Sequence, residues 1–101
     1  MMTGMETILG RKFNSDVSKK IGNRTSNLLN VMSDAAKQKQ MLSELDSHLT
    51  GQGLKKTPGR TKNETVYGNS DASTVVSVTK KSGRVAGKTR KFTLVEAITT
   101  D

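Results

Sequence analysis

Between Ser15 and Leu49 the apolar positions return every seven residues. Ile21, Leu28, Ala35, Leu42 and Leu49 form one series, and Val17, Arg24, Val31, Gln38 and Leu45 occupy the interleaved positions. Two such series make the seam of an amphipathic helix, because a heptad brings side chains back to one face every two turns. The spacing predicts one long helix over residues 14–50. Asn14 or Ser15 serves as its cap, Asp16 favours the first turn, and Gly51 and Gly53 stop it. Arg24 and Gln38 interrupt the seam. They either fix register or oligomeric state at a cost in stability, or lie at the edge of a contact with the protein's own sheet. Gly22 costs about 1 kcal/mol relative to Ala inside a helix, which frays or bends the first turns.

After the helix the period changes. Residues 51–60 (GQGLKKTPGR) read as a linker, with Pro58-Gly59 as a turn. Thr65 to Tyr67 is a short strand candidate, followed by a turn over Gly68 to Asp71. Thr74 to Lys80 (TVVSVTK) alternates and is rich in β-branched residues, the clearest strand pattern in the chain. Ser82 to Gly87 reads as a loop. Lys88 to Thr99 then places Phe92, Leu94 and Ile98 on one face of a second strand. Thr93 and Glu96 also fit a helical capping box, but the few residues that follow are too short for a stable helix. The fold class expected is α+β: one long N-terminal amphipathic, heptad-like helix followed by a small antiparallel β-hairpin or three-stranded sheet. Its parts are an N-terminal arm (1–13), the helix (14–50), a linker (51–60) and a basic hairpin region (61–101).

Composition limits the core that such a chain can build. Of 101 residues, 32% are hydrophobic, and the aromatics are Phe13, Tyr67 and Phe92 with no Trp. Ordinary globular domains run to roughly 45–50% on a count that includes Gly. A modest core and some reliance on self-association or a partner follow. The oligomerisation or packing face falls on Ile21, Leu28, Val31, Leu42, Leu45 and Leu49.

The charge is +8 and uneven. From Lys55 to Lys91 the acids are Glu64 and Asp71, against Lys55, Lys56, Arg60, Lys62, Lys80, Lys81, Arg84, Lys88, Arg90 and Lys91. A field of that sign attracts phosphate backbones, anionic surfaces or acidic proteins. Lys80, Lys81, Arg84, Lys88, Arg90 and Lys91 surround one loop and would crown a hairpin with cations. Lys55, Lys56 and Arg60 add charge on the linker. These nine residues are the candidate contacts to DNA, RNA or an acidic partner. Interleaved aromatics of the kind that stack single-stranded bases are missing from them.

Nothing in the chain assembles a catalytic group. There is no cysteine, hence no disulfide and no thiolate ligand or nucleophile. Ser82-Gly83-Arg84-Val85-Ala86-Gly87-Lys88-Thr89 approaches a phosphate-binding loop. It has Ser82 in place of the first Gly, and the β-like segment after it is the wrong context. His48, with Glu44 one turn before it and Asp46 nearby, lacks further ligands or a pocket and reads as a solvated helix end. The remaining carboxylates are scattered. No enzyme, cofactor, metal or small-molecule substrate is expected. Met1 to Phe13 does not have the pattern of a signal peptide, and no stretch reaches the ~18 apolar residues of a membrane span. The expected setting is intracellular, or inside a particle assembled in the cell, away from membranes.

The function these features suit is that of a small basic structural or adaptor subunit of a larger assembly, a viral particle being one example. Its helix oligomerises or docks on protein partners, and its basic hairpin meets an acidic partner or nucleic acid. The alternative is a free nucleic-acid-binding protein, dimeric through the helix, with sequence-nonspecific phosphate contacts.

Overall fold

The structure, a computed structural model, describes residues 2–13 and 19–100. The chain runs α1 (Met2–Leu9), β1 (Lys19–Ile21), β2 (Arg24–Ser33), α2 (Ala35–Gly51), β3 (Lys55–Pro58), β4 (Glu64–Gly68), β5 (Thr74–Val85) and β6 (Lys88–Thr100). All six strands join one antiparallel sheet in the order β1-β2-β6-β5-β4-β3. The last strand therefore lies in mid-sheet, between the early hairpin and the later meander.

This corrects the expected architecture of a long helix with a small sheet. The middle of the predicted helix is β2. Within Arg24–Ser33, Leu29 and Val31 point to the core and Leu28 and Met32 point away, a period of two that the seven-residue spacing concealed. Gly22, with φ +62, and Asn23 form the two-residue turn between β1 and β2, where Ile21 pairs with Arg24. Glycine at the first central position is what a type II′ hairpin turn requires. Gly22 is thus a turn residue rather than a cost inside a helix. The proposed cap residues Asn14 and Ser15, with Asp16 and the seam residue Val17, lie outside the described residues.

The helix that does form begins at the cap Asp34, whose Oδ1 accepts a hydrogen bond of 2.7 Å from the Lys37 amide. Gln38, Met41, Leu45 and Leu49 follow at three- and four-residue steps and make its buried stripe. The end is sharp. The Gln52 and Gly53 amides bond back to His48, Leu49 and Thr50, and Gly53 adopts φ +84.

Residues 2–9, expected as part of an arm, are a helix with Met5 and Leu9 buried. An added Cβ at Gly4 would meet the His48 ring, so α1 and α2 approach closely there. His48 is half-buried at that contact instead of lying at a solvated end. The expected linker contains β3, an edge strand on which Pro58 is tolerated.

The sheet has two different faces. One packs against the helices. Leu29, Val31, Val76, Val78, Val95, Ala97 and Tyr67 meet Met5, Leu9, Met41, Leu45, Leu49 and Leu54 in a single core. Gln38 ties the layers together: its Nε2 donates to the Phe92 carbonyl at 3.0 Å and to Thr93 Oγ1 at 3.3 Å. The other face carries Leu28, Val66, Val75, Leu94 and Ile98, all half-buried, and no element covers it among the described residues.

Candidate functional site

β5 and β6 pair without interruption from Thr74–Thr99 to Val85–Lys88. Their partners stop earlier. β4 ends its pairing with β5 at Glu64–Thr79, and β2 ends its pairing with β6 at Ser33–Lys91. The segment beyond is a two-stranded ribbon projecting from the sheet. It closes through Ala86 (φ 51) and Gly87 (φ 78), and positive φ at both central residues matches a type I′ turn. The residues expected as a loop are therefore strand as far as Val85, and the apparent phosphate loop is strand–turn–strand. With no helix after it, its amides serve the ladder and the turn.

Alternation divides the ribbon's cations between its faces. Lys81, Lys88 and Arg90 continue the open face of the sheet, and Lys80, Arg84 and Lys91 continue the helix side. None of these six has a carboxylate within 4.0 Å among the described residues. Their visible partners are neutral. Lys91 Nζ donates to Ser82 Oγ at 2.8 Å, and the Arg84 guanidinium donates to the Gly87 carbonyl at 3.0 Å, which lays it along the tip. Phe92 lies over Gly83, whose missing Cβ leaves room for the ring. It packs on the ribbon rather than standing out for stacking.

The loop between β3 and β4 completes the patch. The Lys80 amide donates to the Asn63 carbonyl at 3.0 Å, fastening this loop to the ribbon's base. One depression is lined by Gln38, Asn63, Lys80, Lys81, Ser82 and Lys91, and the next includes Lys56, Lys62, Asn63 and Lys80. Lys62 joins the cationic cluster only through this contact, so its place could not be read from sequence spacing. Of the linker cations, Lys55 is exposed at the sheet edge. Lys56 pairs with Asp46 at 2.9 Å, and exposed Arg60 reaches Glu64 at 3.6 Å. These three are dispersed, and two of them face carboxylates.

The carboxylates have structural partners. Asp46 accepts from Lys56 and from the Tyr67 hydroxyl (2.8 Å), which together hold it below its ordinary pKa. Burial, with the hydrogen bond to the Asp46 carboxylate adding to it, pushes the Tyr67 phenol well above the usual tyrosine range. Glu64 accepts from Ser77 Oγ (2.6 Å) and the Arg60 amide (2.7 Å), and these bonds hold its pKa down. The fold brings Glu64 and Glu96, far apart in sequence, to one shallow depression on the open face; Ser26 donates to Glu96. Held as a carboxylate, Glu64 is unsuited to give up a proton as a general acid. No group of three or more potential metal ligands exists among the described residues. No helix there is long and apolar enough to cross a membrane.

The packing residues read from the heptad separate. Val31, Leu45 and Leu49 are buried in the core, Leu42 packs against it, Leu28 lies half-buried on the open face, and Ile21 is 80% exposed beside the first turn. They do not form one oligomerisation stripe, because the chain between Ile21 and Ala35 is strand. Comparison of the chain with protein-family models, with curated proteins and with solved structures finds no match.

Proposed function

We propose that this protein works by binding, as a small non-enzymatic adaptor that grips nucleic-acid phosphates with the β5–β6 ribbon and the β3–β4 loop. The observation that carries the reading is the projecting ribbon with six cations unopposed by carboxylates. Unopposed cations on a rigid projection give up little on meeting phosphates, and release of counterions from the nucleic acid drives the association. The centre of the open face, with Glu64 and Glu96, is less suited to this role. Phosphate contacts therefore belong to the ribbon and its base.

Fluorescence anisotropy with duplex and single-stranded DNA across a salt series tests the reading. Micromolar or tighter binding that falls steeply with salt is expected. Replacing Lys88, Arg90 and Lys91 with Ala should flatten the log–log salt slope by about 2.7, from roughly 0.9 per phosphate contact. Absence of binding at low salt would overturn the reading and direct the charge to an acidic protein.

A second observation favours a place within an assembly. Antiparallel sheets with one solvated face usually turn polar residues outward, whereas this one presents Leu28, Val66, Val75, Leu94 and Ile98. Self-association through that face brings together chains of charge +8, so it strengthens with salt while nucleic-acid binding weakens. Sedimentation at rising salt should show a larger species that Leu94→Asp abolishes. A monomer at every concentration and salt level would remove this part of the proposal.

A further inference from the structure

The ribbon's shape says more than its charge. Gly83 to Val85 and Lys88 to Arg90, with the turn, stand free of both neighbouring strands. At roughly 3.3 Å per residue this free part reaches about 10–13 Å, and its strands are about 4.8 Å apart. The major groove of B-form DNA is about 12 Å wide and 8.5 Å deep and admits a two-stranded β-ribbon. The deep, narrow major groove of A-form RNA does not admit such an element. Single strands are bound on exposed aromatic platforms, and the aromatics here are engaged elsewhere: Tyr67 is buried, Phe92 covers Gly83, and Phe13 packs against the core.

We infer that the nucleic acid this site takes is double-helical DNA, entered from the major groove by the ribbon tip. This rests on the reading of the ribbon as a phosphate grip. Arg84, Lys88 and Arg90 go into the groove with the turn. Lys62, Lys80, Lys81 and Lys91 stay at the base, where the phosphate ridges bordering the groove meet them. The tip carries exposed Val85 (41%) and Thr89 between its cations, with no Asn or Gln to read adenine. The register of the core half of the hairpin fixes the pattern, so the tip reaches DNA already ordered.

The test compares the intact chain on one 20-base-pair sequence as duplex DNA, duplex RNA and single-stranded DNA at matched salt. Duplex DNA should bind at least tenfold more tightly than duplex RNA. Methyl green, a major-groove ligand, should displace the protein, and netropsin, which fills the minor groove, should not. Arg84→Ala with Lys88→Ala should erase the preference for DNA over RNA. Lys62→Ala with Lys81→Ala should weaken both duplexes by a similar factor and preserve the preference. Circular dichroism establishes that each variant is folded. Equal affinity for all three nucleic acids, or displacement by netropsin alone, overturns the groove assignment and leaves the phosphate grip standing. Failure to bind any of the three overturns both.

Discussion

The two halves of the β5–β6 hairpin share one ladder and one register but have different neighbours. In the inner half, from Thr74–Thr99 to Thr79–Leu94, the ribbon lies between β4 and β2 and buries Val76, Val78, Val95 and Ala97 under the helices. In the outer half β4 has ended, β2 stops at Lys91, and cations replace valines. A two-stranded hairpin alone in water is marginally stable, so the outer half depends on the inner one for its order. The inner half in turn gains little from the tip. Stability and the proposed binding should therefore be separable, although the proposal places both on the same pair of strands.

The largest effect should come from the packing over the inner half. Leu45→Ala, at a site 1% exposed in the core, is expected to cost about 2–5 kcal/mol. Urea denaturation followed by circular dichroism measures it, and the folded fraction should keep its affinity for nucleic acid.

A smaller loss, about 1 kcal/mol for one hydrogen bond, is expected for Tyr67→Phe. It also bears on pH. The Tyr67 pKa is raised by folding, so its contribution is fully present below the ordinary tyrosine value of about 10 and declines above it. Asp46 and Glu64 are shifted down, so theirs is present above about pH 4 and is lost as pH falls through their folded values. Melting temperature against pH should form a plateau bounded by these two losses, and Tyr67→Phe should remove the alkaline one and reduce the Asp46 share of the acid one, leaving the Glu64 share intact.

The smallest effect on stability belongs to the tip. Arg84→Ala with Lys88→Ala, both exposed, should move stability by less than about 0.5 kcal/mol for each site, while flattening the salt slope of binding. A tip variant that unfolds the protein would show that the halves are not separable.

How much of this could be read beforehand also divides along the chain. Thr74 to Lys80 and Lys88 to Thr99 revealed themselves through β-branched residues and apolar positions at two-residue steps, and the cations around their turn were legible as one cluster. The region from Ile21 to Ala35 was not, because the seven-residue recurrence of Ile21, Leu28 and Ala35 imitates a helical seam, whereas in a strand an odd interval places residues on opposite faces. The deciding signals were local. Gly22-Asn23 is a hairpin turn, and Asp34 before two alanines is a helix cap. Gln38 looked like a flaw in a seam because its partners, Phe92 and Thr93, lie more than fifty residues away. Lys62 and the meeting of Glu64 with Glu96 are likewise products of tertiary contact.

The two outer strands decide how such a sheet can grow. β1 offers Lys19 and Lys20, and β3 offers Lys55, Lys56 and Pro58. Charged side chains and a missing amide make hydrogen-bonded addition of another chain costly at either end. Strand-to-strand growth has no natural stopping point, whereas face-to-face pairing saturates once the face is covered. For the self-association proposed above, edges that block the first route and a face that leaves the second open favour a closed pair of sheets over a fibre.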